Sequence, residues 1–197
     1  RFGAANEIGV FAMLEEGLKE VKNPSAIFLS SHDEPVPGSV VTVAHEGSRP
    51  LLAEVQALVD ESQGHPRRVT LGLDQNRLNL LLAVLHRHAG YSLGGSDVFV
   101  NVVGGVRINE TAPDLAVVLA SLSSFRGAPI ASDLVAFGEL GLAGEVRPVP
   151  HGEDRLREAA RQGYKRAIVP YGNKPRSDLG IKVIAVRRLS EALEAVL

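Results

Sequence analysis

Apolar residues recur with two different periods along this chain, and this change of period constrains the fold more than any other feature. Residues 97–103 alternate apolar and polar side chains, as a half-buried strand does, and residues 40–43 are a second strand candidate. Four leucines within residues 78–85 instead share one face of a helix. Because such strands and helices mix without strict alternation, the sequence predicts an α+β architecture with some βαβ crossovers.

Several residues are typical of helix ends. Asp74 is a predicted N-cap for the leucine-rich helix, and Gly90 is its predicted stop. Thr111 is predicted to cap the next helix through its hydroxyl, with Asp114 at the third helical position, and Ser190 is predicted to cap the last helix. The other elements that the pattern predicts are strands at residues 69–73, 134–140, 145–149, 166–169 and 181–186 and a helix at residues 153–162.

The first 35 residues differ from the rest and form a predicted lead-in, 1–35, to a main domain, 36–197. Residues 15–20 suggest a short helical turn. Pro35 and Pro37 favour an extended linker, which places the domain boundary there. Residues 51–59 are ambiguous, because their apolar positions fit a helix slightly better than a strand.

Composition excludes several classes of protein. The 21 Lys and Arg against 23 Asp and Glu give a net charge of −2, so bulk charge alone does not indicate a nucleic-acid or membrane-surface binder. The absence of cysteine excludes disulfides, thiolate zinc sites and a cysteine nucleophile in these residues, and favours a reducing, cytoplasmic location without a membrane partner. The chain begins at Arg1 without an initiator Met, so we expect it to be part of a longer protein.

Motifs for cofactors are lacking. No phosphate-binding loop with its lysine is found, and the glycine pairs at residues 94–95 and 104–105 are explained by turns. His45 and His151 lie in separate segments without ligand spacing, and His86 and His88 point about 200° apart on a helix. The sequence therefore predicts neither a metal nor a bound cofactor within this chain.

Two carboxylates are candidates for chemistry. Asp114 and Glu153 each open a predicted helix, and these helices flank the same predicted hairpin. Such a pair performs general acid–base catalysis if the fold brings it together, which is the hydrolase alternative. Helix N-termini also favour acids for purely electrostatic reasons, so simple capping is the competing interpretation.

The C-terminal third is strongly basic. Residues 147–188 contain eleven Lys and Arg against four Asp and Glu, a local net charge of +7. Guanidinium groups suit phosphate, whereas arginines paired with acids on the same helix would only be solvated side chains. The aromatic residues available nearby for base stacking are Tyr164 and Tyr171. The DNA-binding candidates are Arg147, Arg155, Arg157, Arg161, Lys165 and Arg166.

Four segments in order resemble one protein family. They are Arg1-Phe2-Gly3, Glu7-Ile8-Gly9-Val10-Phe11, residues 46–58 and residues 137–149. Together they are similar to the C-terminal part of the bacterial RadA (Sms) family of recombination and DNA-repair ATPases. The resemblance implies that residues 1–35 are the tail of a RecA-like ATPase module. It also implies that residues 36–197 are a Lon-protease-like (S5-like) domain in which residues 51–59 form a strand.

The resemblance also permits a test of peptidase activity. Active Lon proteases carry a serine nucleophile and a lysine base, and the matching positions here are Asp114 and Glu153. Two carboxylates cannot replace a hydroxyl activated by a neutral amine, so we expect no catalytic residue and no proteolysis.

The family further implies a function for the longer protein. Its members carry an upstream zinc module and ATPase, with ATP, Mg and Zn as cofactors, and form hexameric rings that drive branch migration on DNA. We therefore expect this chain to be the oligomerisation and DNA-guiding scaffold. Its expected partners are copies of itself and single-stranded or branched DNA, with the RecA recombinase as a further candidate. Arg1, Phe2 and Gly3 would belong to the motif that couples ATP hydrolysis to DNA work. Oligomerisation without DNA contact is the third interpretation.

Overall fold

The structure, a computed structural model, describes residues 11–20, 29 and 34–197. Arg1, Phe2 and Gly3 lie outside the described residues. The strands are β1 (Phe11–Leu14), β2 (Gly17–Glu20), β3 (Ser39–Glu46), β4 (Arg49–Glu61), β5 (Arg68–Leu71), β6 (Ser96–Val102), β7 (Leu134–Ala136), β8 (Glu139–Leu140), β9 (Val146–Arg147), β10 (Arg166–Pro170) and β11 (Lys182–Val186). The helices are α1 (Gln75–Ala89), α2 (Asp114–Arg126), α3 (Gly152–Arg161) and α4 (Leu189–Glu194).

A mixed seven-stranded sheet organises the described residues, in the order β11-β10-β7-β3-β4-β6-β5. Strands β3, β4 and β6 pair antiparallel, while the neighbours toward both edges pair parallel. Parallel neighbours need a crossover, and α1 supplies one between β5 and β6 while α3 lies in the chain between β7 and β10. The fold is thus α/β and not the predicted α+β, because its parallel strand pairs are joined through helices, whereas the predicted βαβ crossovers are confirmed.

The helices cover the two faces of the sheet unequally. On one face, α1, α2 and α4 bury the larger core, to which β4 contributes Val55 and Ala57. On the other face, Leu156 and Ala159 of α3 pack into a smaller core with Leu52 of β4. Because successive residues of a strand point to opposite faces, β4 separates these two cores along its length. No helix in the described part of the chain is long and apolar enough to cross a bilayer.

Several predicted element boundaries are confirmed. Asp74 caps α1 by accepting a hydrogen bond from the Asn76 amide, and Gly90 ends it with a left-handed φ of 77°. Residues 51–59 lie within β4, as the family resemblance implies and against the slight helical preference of the local pattern. The reason is that residues 51–55 are buried on both faces of the sheet, so their apolar side chains do not alternate cleanly.

Three local predictions are wrong. Residues 15–20 do not form a helical turn but the turn and second strand of the β1–β2 hairpin. The Thr111 hydroxyl does not cap α2, because it donates to the Glu139 carboxylate, and Pro113 is the N-cap residue. Ser190 lies inside α4, whose N-cap residue is Arg188. The Thr111 hydroxyl is engaged by a carboxylate that lies 28 residues further along the chain, which the local pattern does not reveal.

Candidate functional site

Asp114 is the first residue of α2, and its side chain is 3% exposed. Its carboxylate accepts hydrogen bonds from Nε and Nη2 of Arg77 on α1 and from the Leu140 amide at 3.0 Å. Burial raises the pKa of Asp114, while the hydrogen bonds from Arg77 act in the opposite direction. The residue therefore cross-links α1, α2 and β8, which is more than the helix-capping role that its position predicts.

Glu153 has a different setting. It lies in the first turn of α3, is about half exposed and forms an ion pair with Arg157 at 3.1 Å. Among the described residues, no hydrogen bond or ion pair joins Glu153 to Asp114. The two carboxylates are thus held by different arginines, Arg77 on α1 and Arg157 on α3.

A cavity of about 220 Å³ opens beside Asp114, between α1, α2 and the β6–α2 connection. Its polar lining mixes both signs of charge, because it contains Arg77 and Arg107 as well as Asp114 and Glu110. A serine hydroxyl and a lysine amine are both missing from this lining, so the cavity does not hold the groups that a Lon-type peptidase uses.

Arg155 does not belong to a nucleic-acid surface, and its prediction as a DNA-binding residue is wrong. The side chain is 2% exposed, and its guanidinium donates to Pro150 O at 2.9 Å, Val43 O at 2.8 Å and Glu110 Oε1 at 2.5 Å. A guanidinium that already serves three oxygens inside the protein cannot reach a phosphate. Helical periodicity alone does not reveal this, because the acceptors come from β3 and two loops.

The remaining predicted arginines of this segment are exposed or partly exposed, and most are paired with a carboxylate. Arg157 binds Glu153, Arg161 binds Glu158 at 2.7 Å and Arg166 binds Asp133 at 2.9 Å. Such pairs lower the local positive charge, as the competing interpretation expects. Lys165 and Arg147 are exposed, and Arg147 lies 3.9 Å from Glu139.

Basic and aromatic side chains meet at the carboxyl ends of β10 and β11. The Arg187 guanidinium lies 3.6 Å above the ring of Tyr171, and the Lys174 ammonium lies 5.9 Å from the same ring. The backbone of β9, which carries Arg147, runs beside them, because the amide of Val146 donates to Arg187 O at 2.8 Å. We call Arg147, Tyr171, Lys174 and Arg187 the Tyr171 cluster.

The two tyrosines that the sequence offers for base stacking, Tyr164 and Tyr171, differ in exposure. Tyr164 packs against the smaller core, where burial and then the charge of Glu54 raise its pKa. Tyr171 is 45% exposed. Arg187 and Lys174 lie outside the predicted site, although they belong to the basic stretch. The parallel pairing of β10 with β11 brings Arg187 to Tyr171, whereas Lys174 follows Tyr171 in the same turn.

Two histidines that are far apart in sequence are neighbours in space. The rings of His45, in β3, and His151, just before α3, stack with centroids 4.0 Å apart and planes 9° apart. Asp154 of α3 lies beside both rings. The fold therefore brings together side chains whose sequence positions show no metal-ligand spacing. His45, His151 and Asp154 form a group that could hold a metal ion.

Comparison with known proteins first defines the class. Residues 69–173 match the family described as ChlI, subunit ChlI of Mg-chelatase. The match covers more than half of the chain, so the chain belongs to that family. The matched residues include α2, which begins with Asp114, and the connection before it, which contains Glu110.

Relatives over nearly the whole chain narrow the assignment. Proteins named DNA repair protein RadA are 63% identical over 98% of the chain in Haemophilus influenzae and 60% identical over 98% in Escherichia coli. The protein of that name in Bacillus subtilis is 46% identical over the whole chain. The chain belongs to the RadA family, as its motifs predict. It spans 42–44% of the length of these three relatives.

Proposed function

We propose that this chain is the non-catalytic, Lon-like C-terminal scaffold of a RadA-type protein and acts in DNA repair by self-association and by contact with DNA. The relatives that match it are named DNA repair proteins. ATP hydrolysis, branch migration and the requirement for ATP, Mg and Zn are properties that we assign to the remainder of the longer protein.

The side chain of Asp114 supports the absence of peptidase activity. A nucleophile must be accessible and activated by a neighbouring base, but this buried carboxylate is held by Arg77 and the Leu140 amide. We expect the purified chain to release no fragments from a fluorogenic peptide or casein. Turnover that disappears in Asp114→Ala would instead favour the hydrolase alternative.

An uncovered part of the sheet supports self-association. This part lies on the same face of the sheet as α3, but at the edge formed by β4, β6 and β5. Leu58, Val69 and Leu71 are exposed there around Phe99. Leu58 and Leu71 are 59% and 63% exposed, and contiguous apolar surface of this kind marks association sites. We propose that copies of the chain meet through this face in a hexameric ring.

The Tyr171 cluster carries the proposal of DNA contact. An exposed ring flanked by cations matches what single-stranded DNA binding requires, because every base can stack on an aromatic ring and each phosphate attracts a basic side chain. The arginines of α3 are less suited, since Arg157 and Arg161 already have carboxylate partners. We therefore place the DNA surface at the ends of β10 and β11.

The test compares two sets of variants by fluorescence anisotropy with a labelled single-stranded oligonucleotide. Tyr171→Ala should weaken binding about tenfold, since one stacked base contributes about 1–3 kcal/mol. Arg187→Gln should weaken it and reduce the slope of log affinity against log salt by about 0.7, the value for one lost phosphate contact. Arg157→Gln is the matched control on α3 and should have little effect.

Two results would contradict this placement. Equal losses of DNA affinity in Arg157→Gln and Arg187→Gln would mean that DNA binds through overall positive charge and not at a defined site. Unchanged binding in Tyr171→Ala and Arg187→Gln together would remove the Tyr171 cluster from the interface. A chain that assembles but binds no DNA at low salt would favour the third interpretation, oligomerisation alone.

A further inference from the structure

His45 carries a buried nitrogen without a partner. It lies near the end of β3, and its side chain is 4% exposed. Among the described residues, its Nε2 finds no hydrogen-bond partner. An unpaired buried polar atom is unfavourable by about 1–3 kcal/mol, so such atoms are rare and indicate a ligand that completes the site.

His151 and Asp154 lie against that nitrogen. Asp154 Oδ2 is 3.7 Å from His45 Nε2 and 3.8 Å from His151 Nδ1, so both distances are too long for hydrogen bonds. The three potential ligand atoms lie within 4.8 Å of one another. His151 also adopts a left-handed φ of 61°, which is unusual for a residue other than glycine and places its ring over His45.

We propose that His45, His151 and Asp154 form a binding site for one divalent transition-metal ion of the Zn²⁺ type. Two imidazole nitrogens and one carboxylate oxygen are donors that Zn²⁺ accepts, with the fourth position left to water. Mg²⁺ and Ca²⁺ prefer sites made only of oxygens, so the two histidines select against them. The ring of His151 is about half exposed and is therefore free to tilt toward a common ion.

The surrounding charges set the conditions of binding. Burial, followed by the neighbouring His151 and Arg155, lowers the pKa of His45, while Asp154 and Glu110 act in the opposite direction. Arg155 and Arg157 oppose a cation, but Arg155 is paired with Glu110. Asp154 contributes a negative charge at the site itself.

The site would join two separate parts of the fold. His45 belongs to the β3–β4 hairpin, whereas His151 and Asp154 flank the first turn of α3. An ion bound to all three would therefore tie α3 to the sheet and stabilise the folded chain in proportion to the logarithm of its concentration. This inference does not depend on the proposed DNA contact.

The test is titration of the chelator-treated, untagged chain with ZnCl₂ by isothermal calorimetry, together with Co²⁺ absorption spectroscopy. We expect one Zn²⁺ per chain, a visible Co²⁺ band that Zn²⁺ displaces, and a rise in Tm of about 5 °C at hundredfold excess over Kd. His45→Gln and His151→Gln should each weaken binding about tenfold or more. The matched control is His65→Gln, an exposed histidine in a loop, which should bind like the wild type.

Three results would contradict the proposed metal site. Affinity in His151→Gln equal to that in His65→Gln would refute the assignment, and His151 is exposed enough that its replacement leaves the fold intact. Absence of saturable Zn²⁺ binding by the wild-type chain would also refute it. A Co²⁺ spectrum unchanged in His45→Gln would show that the ion binds elsewhere.

Discussion

Replacement of Arg155 should destabilise this domain strongly, although its place in a basic amphipathic helix predicts a surface residue. The guanidinium donates to two backbone carbonyls and to Glu110, and it lies 5.9 Å above the ring of Phe137. Each buried carbonyl left unpaired is unfavourable by about 1–3 kcal/mol, and loss of one partner of a buried ion pair by about 3–5 kcal/mol. Glu110 is 25% exposed and can be partly rehydrated. We therefore expect Arg155→Met to lower the free energy of unfolding by about 3–5 kcal/mol.

Urea unfolding followed by circular dichroism measures this effect, and the matched control is Arg157→Met on the same helix. The ion pair of Arg157 is exposed on both sides, so its loss should change the free energy of unfolding by less than about 1 kcal/mol. Arg155→Lys should fall between the two, because an ammonium retains the charge but cannot reach three oxygens in a fixed fork. In thermal unfolding, Arg155→Met should lower Tm by about 10 °C.

A double-mutant cycle with Glu110→Gln separates the ion pair from the carbonyl contacts. Coupling of about 1–3 kcal/mol is expected, since the two side chains are in direct contact. The reasoning would be refuted if Arg155→Met and Arg157→Met were equally stable. It would also be refuted if Arg155→Met remained folded and lost DNA affinity with a reduced salt slope, as a phosphate-binding arginine would.

Three further predictions concern other parts of the fold. Arg77→Met should destabilise by about 2–3 kcal/mol in chemical unfolding, because it leaves the Asp114 carboxylate buried without its charged partner, and adding Asp114→Asn should recover part of the loss. The backbone amide of Arg67, followed by its side chain, lowers the pKa of Asp97 below 3.8, so its stabilisation is complete above that pH and is lost as the pH falls through the lowered value. Unfolding measured from pH 5 to pH 3 should therefore depend less on pH in Asp97→Asn than in the wild type. Gly138→Ala should destabilise by about 1–3 kcal/mol, because φ is 149° and an added Cβ would lie 2.9 Å from a proline ring, whereas Gly64→Ala, with open space, should be neutral in thermal unfolding.

The local hydrophobic pattern is sufficient to predict a helix or strand where that segment has one exposed and one buried side. The leucine face, the Asp74 cap and the left-handed Gly90 all define α1, because each depends on residues within a few positions. Residues 51–59 show the limit of this reasoning. Their first half, residues 51–55, is buried on both faces and has no clear period of two, so only the resemblance of the surrounding motifs to a known family identified the strand.

The features of the candidate sites likewise divide into those that the sequence predicts and those that depend on the tertiary structure. The sequence by itself determined the family, the net positive charge of residues 147–188 and the presence of carboxylates at positions 114 and 153. The tertiary structure alone decided that Arg155 is buried, that Arg187 stacks on Tyr171 and that His45 meets His151. The physical reason is that charge and motif are properties of a residue and its chain neighbours. Burial and pairing instead depend on which strands become adjacent, and the strand order of this mixed sheet brings together residues that are distant in sequence.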